Sequence, residues 1–212
     1  MNYLIRFVLW AIGSCFVSEF LGYLLHRLLH SDKIHILSRS HMEHHLLLYG
    51  PLAEQRPEGG YLDATGNRPA LGNVGLEWLI PGGVLLLTCV VVLNLLGVQI
   101  PFQITFVAFA LAWSFATFSY AHDGMHIRDF WMGRIPIVRA WFLKARLRHD
   151  IHHQQISDEG LMDKNFGIGL SIFDRILGTH LNELRPFNGR GYKAATRRYS
   201  FLASHPLENE GE

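Results

Sequence analysis

The chain has 212 residues, of which 49% are hydrophobic and 17% charged, with a formal net charge of +1. That length fits a single domain spanning 1–212, and the near-neutral balance leaves no whole-chain footprint for nucleic acid. The two cysteines, Cys15 and Cys89, sit inside apolar runs, which argues against a disulfide framework, and they are expected to be small buried hydrophobes. In chain order, the first predicted element is an apolar helix from Phe7 to Leu25. The second runs from Leu79 to Gly97 and the third from Phe102 to Ala121. A bilayer core of about 30 Å needs roughly 20 helical residues, so each has the length and apolarity to cross it. The first is read as a retained helix and not as a signal peptide, because its apolar run is long, contains Glu19 and leads directly into histidines instead of a small-residue cleavage site.

The link from Val98 to Pro101 carries no charge and is short enough to make the second and third helices an antiparallel hairpin. The first and third helices then run the same way. One delivers His26 at its C-terminal end and the other delivers His122, so the histidine clusters meet on one side. Lys and Arg number five in 26–75 and thirteen in 122–212, against Arg6 alone on the other side. Because basic residues accumulate in cytoplasmic loops, the histidine face is expected in the cytosol. The expected class is an all-α integral-membrane helical bundle of about three transmembrane helices with a cytosolic helical cap. A bacterial inner membrane or the endoplasmic reticulum would suit it equally. The stretch 50–75 is rich in Pro and Gly and reads as a mobile loop or a lid over the site. Residues 182–212 read as a C-terminal tail.

Thirteen histidines occur, and ten fall in a repeated order: His26 and His30; His41, His44 and His45; His122 and His126; His149, His152 and His153. On a helix, positions i, i+3 and i+4 share a face, so each cluster can aim its imidazoles at one place. A single zinc site takes three or four ligands, whereas two metals with about five ligands each use the whole set. The first two clusters are expected to build one half of a dinuclear cage and the last two the other half. Imidazole suits Zn, Cu, Fe and Ni, so ligand type does not choose the metal. His35, His180 and His205 fall outside the pattern. Glu43, Asp123 and Asp150 lie within or beside the clusters and could orient metal-bound imidazoles through the second ring nitrogen. Glu19 is an ionisable residue within a membrane segment, which is costly and suggests function. With Tyr23, His26 and His30 it forms one helical stripe, and it is expected to face the site from below, with interhelical hydrogen bonding as the alternative. Asn165 is either a ligand or orienting group, or a turn residue before Gly167. Apolar residues from Ile168 to Leu177, broken by Asp174 and Arg175, read as an interfacial helix sealing one side of the site.

The boxes HRLLH, HMEHH, HDGMH and HDIHH, followed by NFGIGLSIFDRILGTH, closely resemble the fatty acid hydroxylase and sterol desaturase superfamily of integral-membrane, histidine-box di-iron enzymes. The match covers residues 23 to 180. The resemblance implies two iron ions, O2 as co-substrate, and hydroxylation or desaturation at an unactivated C–H bond of a lipid, an acyl chain or sterol-like lipid first. No haem or flavin domain fits in this length, so electrons are expected from an external donor such as a ferredoxin or a b-type cytochrome with its reductase. The HDG of the third box is also similar to bacterial carotenoid hydroxylases, although those have one more residue between the box's histidines. The gap between His30 and His41 is short, which leaves little room there for substrate-specific structure. Two other classes compete. A membrane metal transporter would place its ligands near the bilayer midplane on interrupted helices, while a zinc hydrolase would carry HExxH, which is absent.

Overall fold

The computed structural model describes residues 2–51, 61 and 76–204, and all regular structure among them is helical. Helix α1 (Tyr3–Leu29) begins where the Asn2 side chain accepts a hydrogen bond from Leu4 N at 3.1 Å, and ends with His26 and Arg27 in its last turn. Cations there complement the helix dipole. After a short turn the chain folds back as α2 (His35–Glu43), which passes into a π-helical turn over His44–Leu48. Helix α3 (Leu76–Leu95) and helix α4 (Ile100–Ser114) form the expected hairpin. Gly97 takes φ +68°, and Val98 N donates to Leu93 O at 3.0 Å, the Schellman closure that satisfies the end of a helix. Pro101 then sits in the first turn of α4, where its missing N–H costs nothing.

Helix α4 continues through a π-helical segment (Phe115–Ala121) into α5 (His122–Met125). The rest comprises a 3₁₀ turn (Trp131–Gly133), α6 (Pro136–Gln154), α7 (Ile172–Ile176), α8 (Gly189–Arg198) and a 3₁₀ turn over Ser200–Ser204. Helices α1 and α4 pack side by side and in parallel. Arg6 lies 4.5 Å over the Phe102 ring, Phe7 meets Phe109, and Ser18 Oγ donates to Ala110 O. Both numberings rise together, as the hairpin argument requires; α1 ends at His26 and His30, and α4 leads through the π-helical segment to His122.

Two helices, Tyr3–Leu29 and the combined Ile100–Met125, are long and apolar enough to cross a membrane; the described apolar part of α3, Leu79–Leu95, is shorter. Exposed apolar side chains coat all three, among them Leu4, Leu87, Leu95 and Ile104. At the histidine end, Met42, Leu46, Ile156, Met162, Ala195, Tyr199 and Leu202 form one apolar cluster, and Met125, Phe130, Phe142 and Ile168 belong to another. The C-terminal stretch is thus ordered over 189–204 and packs on α2 and on the chain leaving α6. Most of the 50–75 stretch lies outside the described residues; of it, only Gly50, Pro51 and Tyr61 are described.

One expectation is corrected. The interfacial helix read over Ile168–Leu177 is shorter than expected, helical only over Ile172–Ile176, although Ile172, Ile176 and Leu177 do lie exposed. Ile168 and Asp174 are buried while Ile176 is 68% exposed. Asp174 points inward because backbone N–H groups there need an acceptor.

Candidate metal centre

The ten box histidines converge into two groups of five. His26, His30, His41, His45 and His152 form the first, and His44, His122, His126, His149 and His153 form the second; the ligand-capable atoms of each group lie within 4.8 Å of one another. The sequence-based division into halves is corrected here. His44 leaves its box to join the second group, and His152 leaves its own to join the first. Each group therefore takes four imidazoles from one half of the chain and one from the other. The exchange is set by helix geometry: His41 and His45 are four residues apart and share a face, while His44 sits about 100° round from His45 at the start of the π-helical turn. His149 and His153 stand in the same relation, with His152 turned toward the first group.

Within the groups the nitrogens approach closely. Nε2 of His41 lies 3.0 Å from that of His30 and 3.1 Å from that of His45, and Nε2 of His152 lies 3.0 Å from that of His26. The second group repeats this, with His149 Nε2 at 3.0 Å from His126 Nε2 and 3.1 Å from His153 Nε2. Two nitrogens bound at about 2.1 Å to one ion and at right angles to each other lie about 3.0 Å apart. The spacing and the all-imidazole donor set fit a metal ion in each group.

Electrostatics agree. Burial, followed by neighbouring imidazoles, pushes His30, His41, His45, His149 and His153 well below the usual histidine range, and burial holds His152 down to about 4. These rings are neutral at pH 7, the form in which imidazole binds metal. His122 Nε2 is buried with no protein partner, as a ligand nitrogen awaiting a cation would be. The groups touch through His45 and His153, whose rings stack at 4.0 Å with 18° between planes.

Two ring orientations are fixed from outside. The Phe166 carbonyl accepts from His26 Nδ1 at 2.7 Å, and the Lys164 carbonyl accepts from His152 Nδ1 at 2.5 Å. A proton on Nδ1 leaves the Nε2 lone pair aimed into the group. His122 Nδ1 lies 3.4 Å from Asp123 Oδ1. In the second group the Tyr49 ring stacks on His126 at 3.8 Å, a contact that the boxes gave no reason to expect.

The other candidates fall elsewhere. Asp150 accepts from the Tyr61 hydroxyl, and Glu43 belongs to neither group. Glu19 is fully buried, as an interhelical clasp: Oε2 accepts from Trp113 Nε1 at 2.7 Å and Oε1 from Leu170 N at 2.6 Å. Asn165 is a turn residue, with φ +54°. His35 stacks on Phe201, and His180 joins neither group; His205 lies outside the described residues. Sequence reasoning passed over Asp174, whose signal was a carboxylate in an otherwise apolar run.

A cavity of about 420 Å³ opens at the groups and runs between α1, α3 and α4. His41, His44, His122 and Asp123 line one end, and Leu86, Cys89, Phe106 and Ala110 line the remainder. From Phe106 to Ser114 the wall follows α4 for eight residues, about 12 Å at 1.5 Å per residue, before the π-helical segment carries it on to His122. No family model, curated protein or solved structure matches the chain.

Proposed function

We propose that this chain is a membrane-bound, O2-dependent oxidoreductase of the fatty acid hydroxylase and sterol desaturase type, which hydroxylates or desaturates a C–H bond of a lipid. The observation that carries the reading is a single juxtaposition: two five-imidazole groups stand at the end of an apolar cavity walled by the apolar helices α1, α3 and α4. Five nitrogens exceed the four ligands usual for zinc. Two iron ions held there would supply activation of O2 and removal of hydrogen from carbon.

The chain's own residues do the rest. Leu21, Leu25, Phe115 and Phe118 keep water from the cavity and hold an extended alkyl chain against the wall of α4. His41, His44 and His122 stand where the cavity meets the groups, so one methylene is presented there while the rest of the chain stays in apolar surroundings. Asp123, 35% exposed beside His122, holds that ring through Nδ1. In this reading α1, α3 and the α4–α5 helix cross the membrane, and the histidine end faces the cytosol, where the basic residues gather and an external electron donor arrives. An acyl chain or sterol-like lipid suits the elongated cavity; the third box keeps a carotenoid as the alternative substrate. A transporter is disfavoured because the ligands gather at helix ends.

Protein purified from iron-supplied cells is expected to carry two iron ions per chain and to consume O2 once chemically reduced. A preparation holding zinc alone, active without O2, would contradict the proposal.

A further inference from the structure

The loop between α6 and α7 contains one non-glycine residue in the left-handed region, Asn165 at φ +54°. Asn tolerates that conformation better than most residues, but it is uncommon, and holding it requires surrounding bonds. Four are present. Asn165 N donates to Thr179 O at 2.9 Å, Nδ2 donates to Arg148 O at 3.2 Å and to Leu181 O at 2.8 Å, and Oδ1 accepts from Leu181 N at 2.8 Å. The consequence lies on either side: the carbonyl before it, of Lys164, meets His152 Nδ1, and the carbonyl after it, of Phe166, meets His26 Nδ1.

Asp174 locks the same loop. It is fully buried, and its carboxylate accepts from Phe166 N at 2.8 Å, Gly167 N at 2.9 Å and Thr179 Oγ1 at 2.8 Å. A Cβ at Gly167 would lie 2.6 Å from Asp174 Oδ2 and 2.5 Å from Leu170 O, so the clasp needs glycine there. Thr179 Oγ1 in turn accepts from the Tyr23 hydroxyl at 3.1 Å, which ties the loop to α1 one turn before His26. The carboxylate joins neither histidine group; its partners are the backbone of the loop whose carbonyls orient two imidazoles.

We propose that Asn165 and Asp174 are positioning residues of the first group alone, turning the Lys164 and Phe166 carbonyls onto His152 and His26 so that an imidazole from α6 and one from α1 meet at a single metal ion. The proposal rests on the metal reading of the two groups. Direct hydrogen-bond partners of metal-bound imidazoles, here the Lys164 and Phe166 carbonyls, are typically worth 10- to 100-fold in metal affinity, so turning both away should cost up to that much.

The test uses the full chain in detergent, with Co(II) as the probe and a competing chelator, counting ions per chain by elemental analysis. Wild type is expected to hold two ions. Asp174→Asn places an amide N–H against backbone donors, and should weaken one site 10- to 100-fold while sparing the other. Combining it with His122→Ala, which disables the second group, should leave no tight ion; with His41→Ala, which disables the first, it should leave the remaining site unchanged. Should Asp174→Asn fail to fold, Asn165→Gly, which keeps the left-handed turn, is compared with Asn165→Val, which cannot; the Val variant alone should lose first-group affinity. Equal weakening of both sites, or of neither, overturns the proposal and leaves the metal reading standing. Wild type that binds no Co(II) overturns both.

Discussion

His44 and His45 are neighbours in sequence and members of different groups. Their contributions should therefore be separable: His44→Ala and His45→Ala are each expected to lose one of two metal ions, and the double variant both. A single variant that loses both ions would show one shared site instead. The ten histidines that converge were legible as candidate ligands because helical spacing marks them, whereas the exchange of His44 and His152 was not, because it depends on which helix each face meets after folding. The buried rings also set a pH dependence for the metal-free protein. His152 titrates near 4 when folded and near 6.5 when unfolded, so below about pH 6.5 the unfolded chain binds a proton that the folded chain refuses. The stability is whole above that pH and falls toward pH 4, by about 3 kcal/mol for His152 alone. The chelated protein should melt lower at pH 5.5 than at 7.5; a flat or opposite trend would refute the buried neutral imidazole. Glu19 belongs to the same scale. Glu19→Ala leaves Trp113 Nε1 and Leu170 N without their acceptor, at about 1–3 kcal/mol for each unpaired donor. Thermal melting in detergent should show that loss with two ions still bound, and a lost ion would make Glu19 part of the site.

At the scale of elements, the α3–α4 hairpin could be read directly, because Gly97 closes one helix and Pro101 opens the next. The parallel run of α1 and α4 followed from it. The two π-helical segments could not be read, since each adds residues to a helical turn without local composition to announce it. Both lie at histidines, at His44–Leu48 and immediately before His122, where a change of winding re-aims side chains. The helix after α6 was read as too long for a related reason: Ile172, Ile176 and Leu177 do lie exposed as apolar spacing suggested, but Asp174 turns inward to bind the backbone N–H groups of the preceding loop. The cavity is an element-level feature and gives its own prediction. Gly82 lines it, and a Cβ there would meet no atom within 4 Å. Gly82→Phe should keep both metal ions and the fold yet reduce product from the longest lipid chains at least tenfold. Undiminished conversion of those chains would separate the cavity from the substrate path.

For the molecule as a whole, length, charge and apolar runs were enough to give an all-helical chain with membrane-length helices and one histidine-bearing end. The stretch 50–75, in contrast, has no sustained period and few apolar residues, so its pattern specifies no element. What joins the scales is that the apolar helices that wall the cavity also lead to the histidine groups; under the proposed function, a lipid would reach the site without crossing water. The most direct measurement is untargeted lipid mass spectrometry on cells expressing wild type against cells expressing His122→Ala, with the same donor system supplied to both. The expected result is a wild-type-only lipid heavier by one oxygen, or lighter by two hydrogens, which also distinguishes hydroxylation from desaturation. Identical lipid profiles, from cells in which the wild-type protein carries both iron ions, would contradict a lipid C–H oxidase.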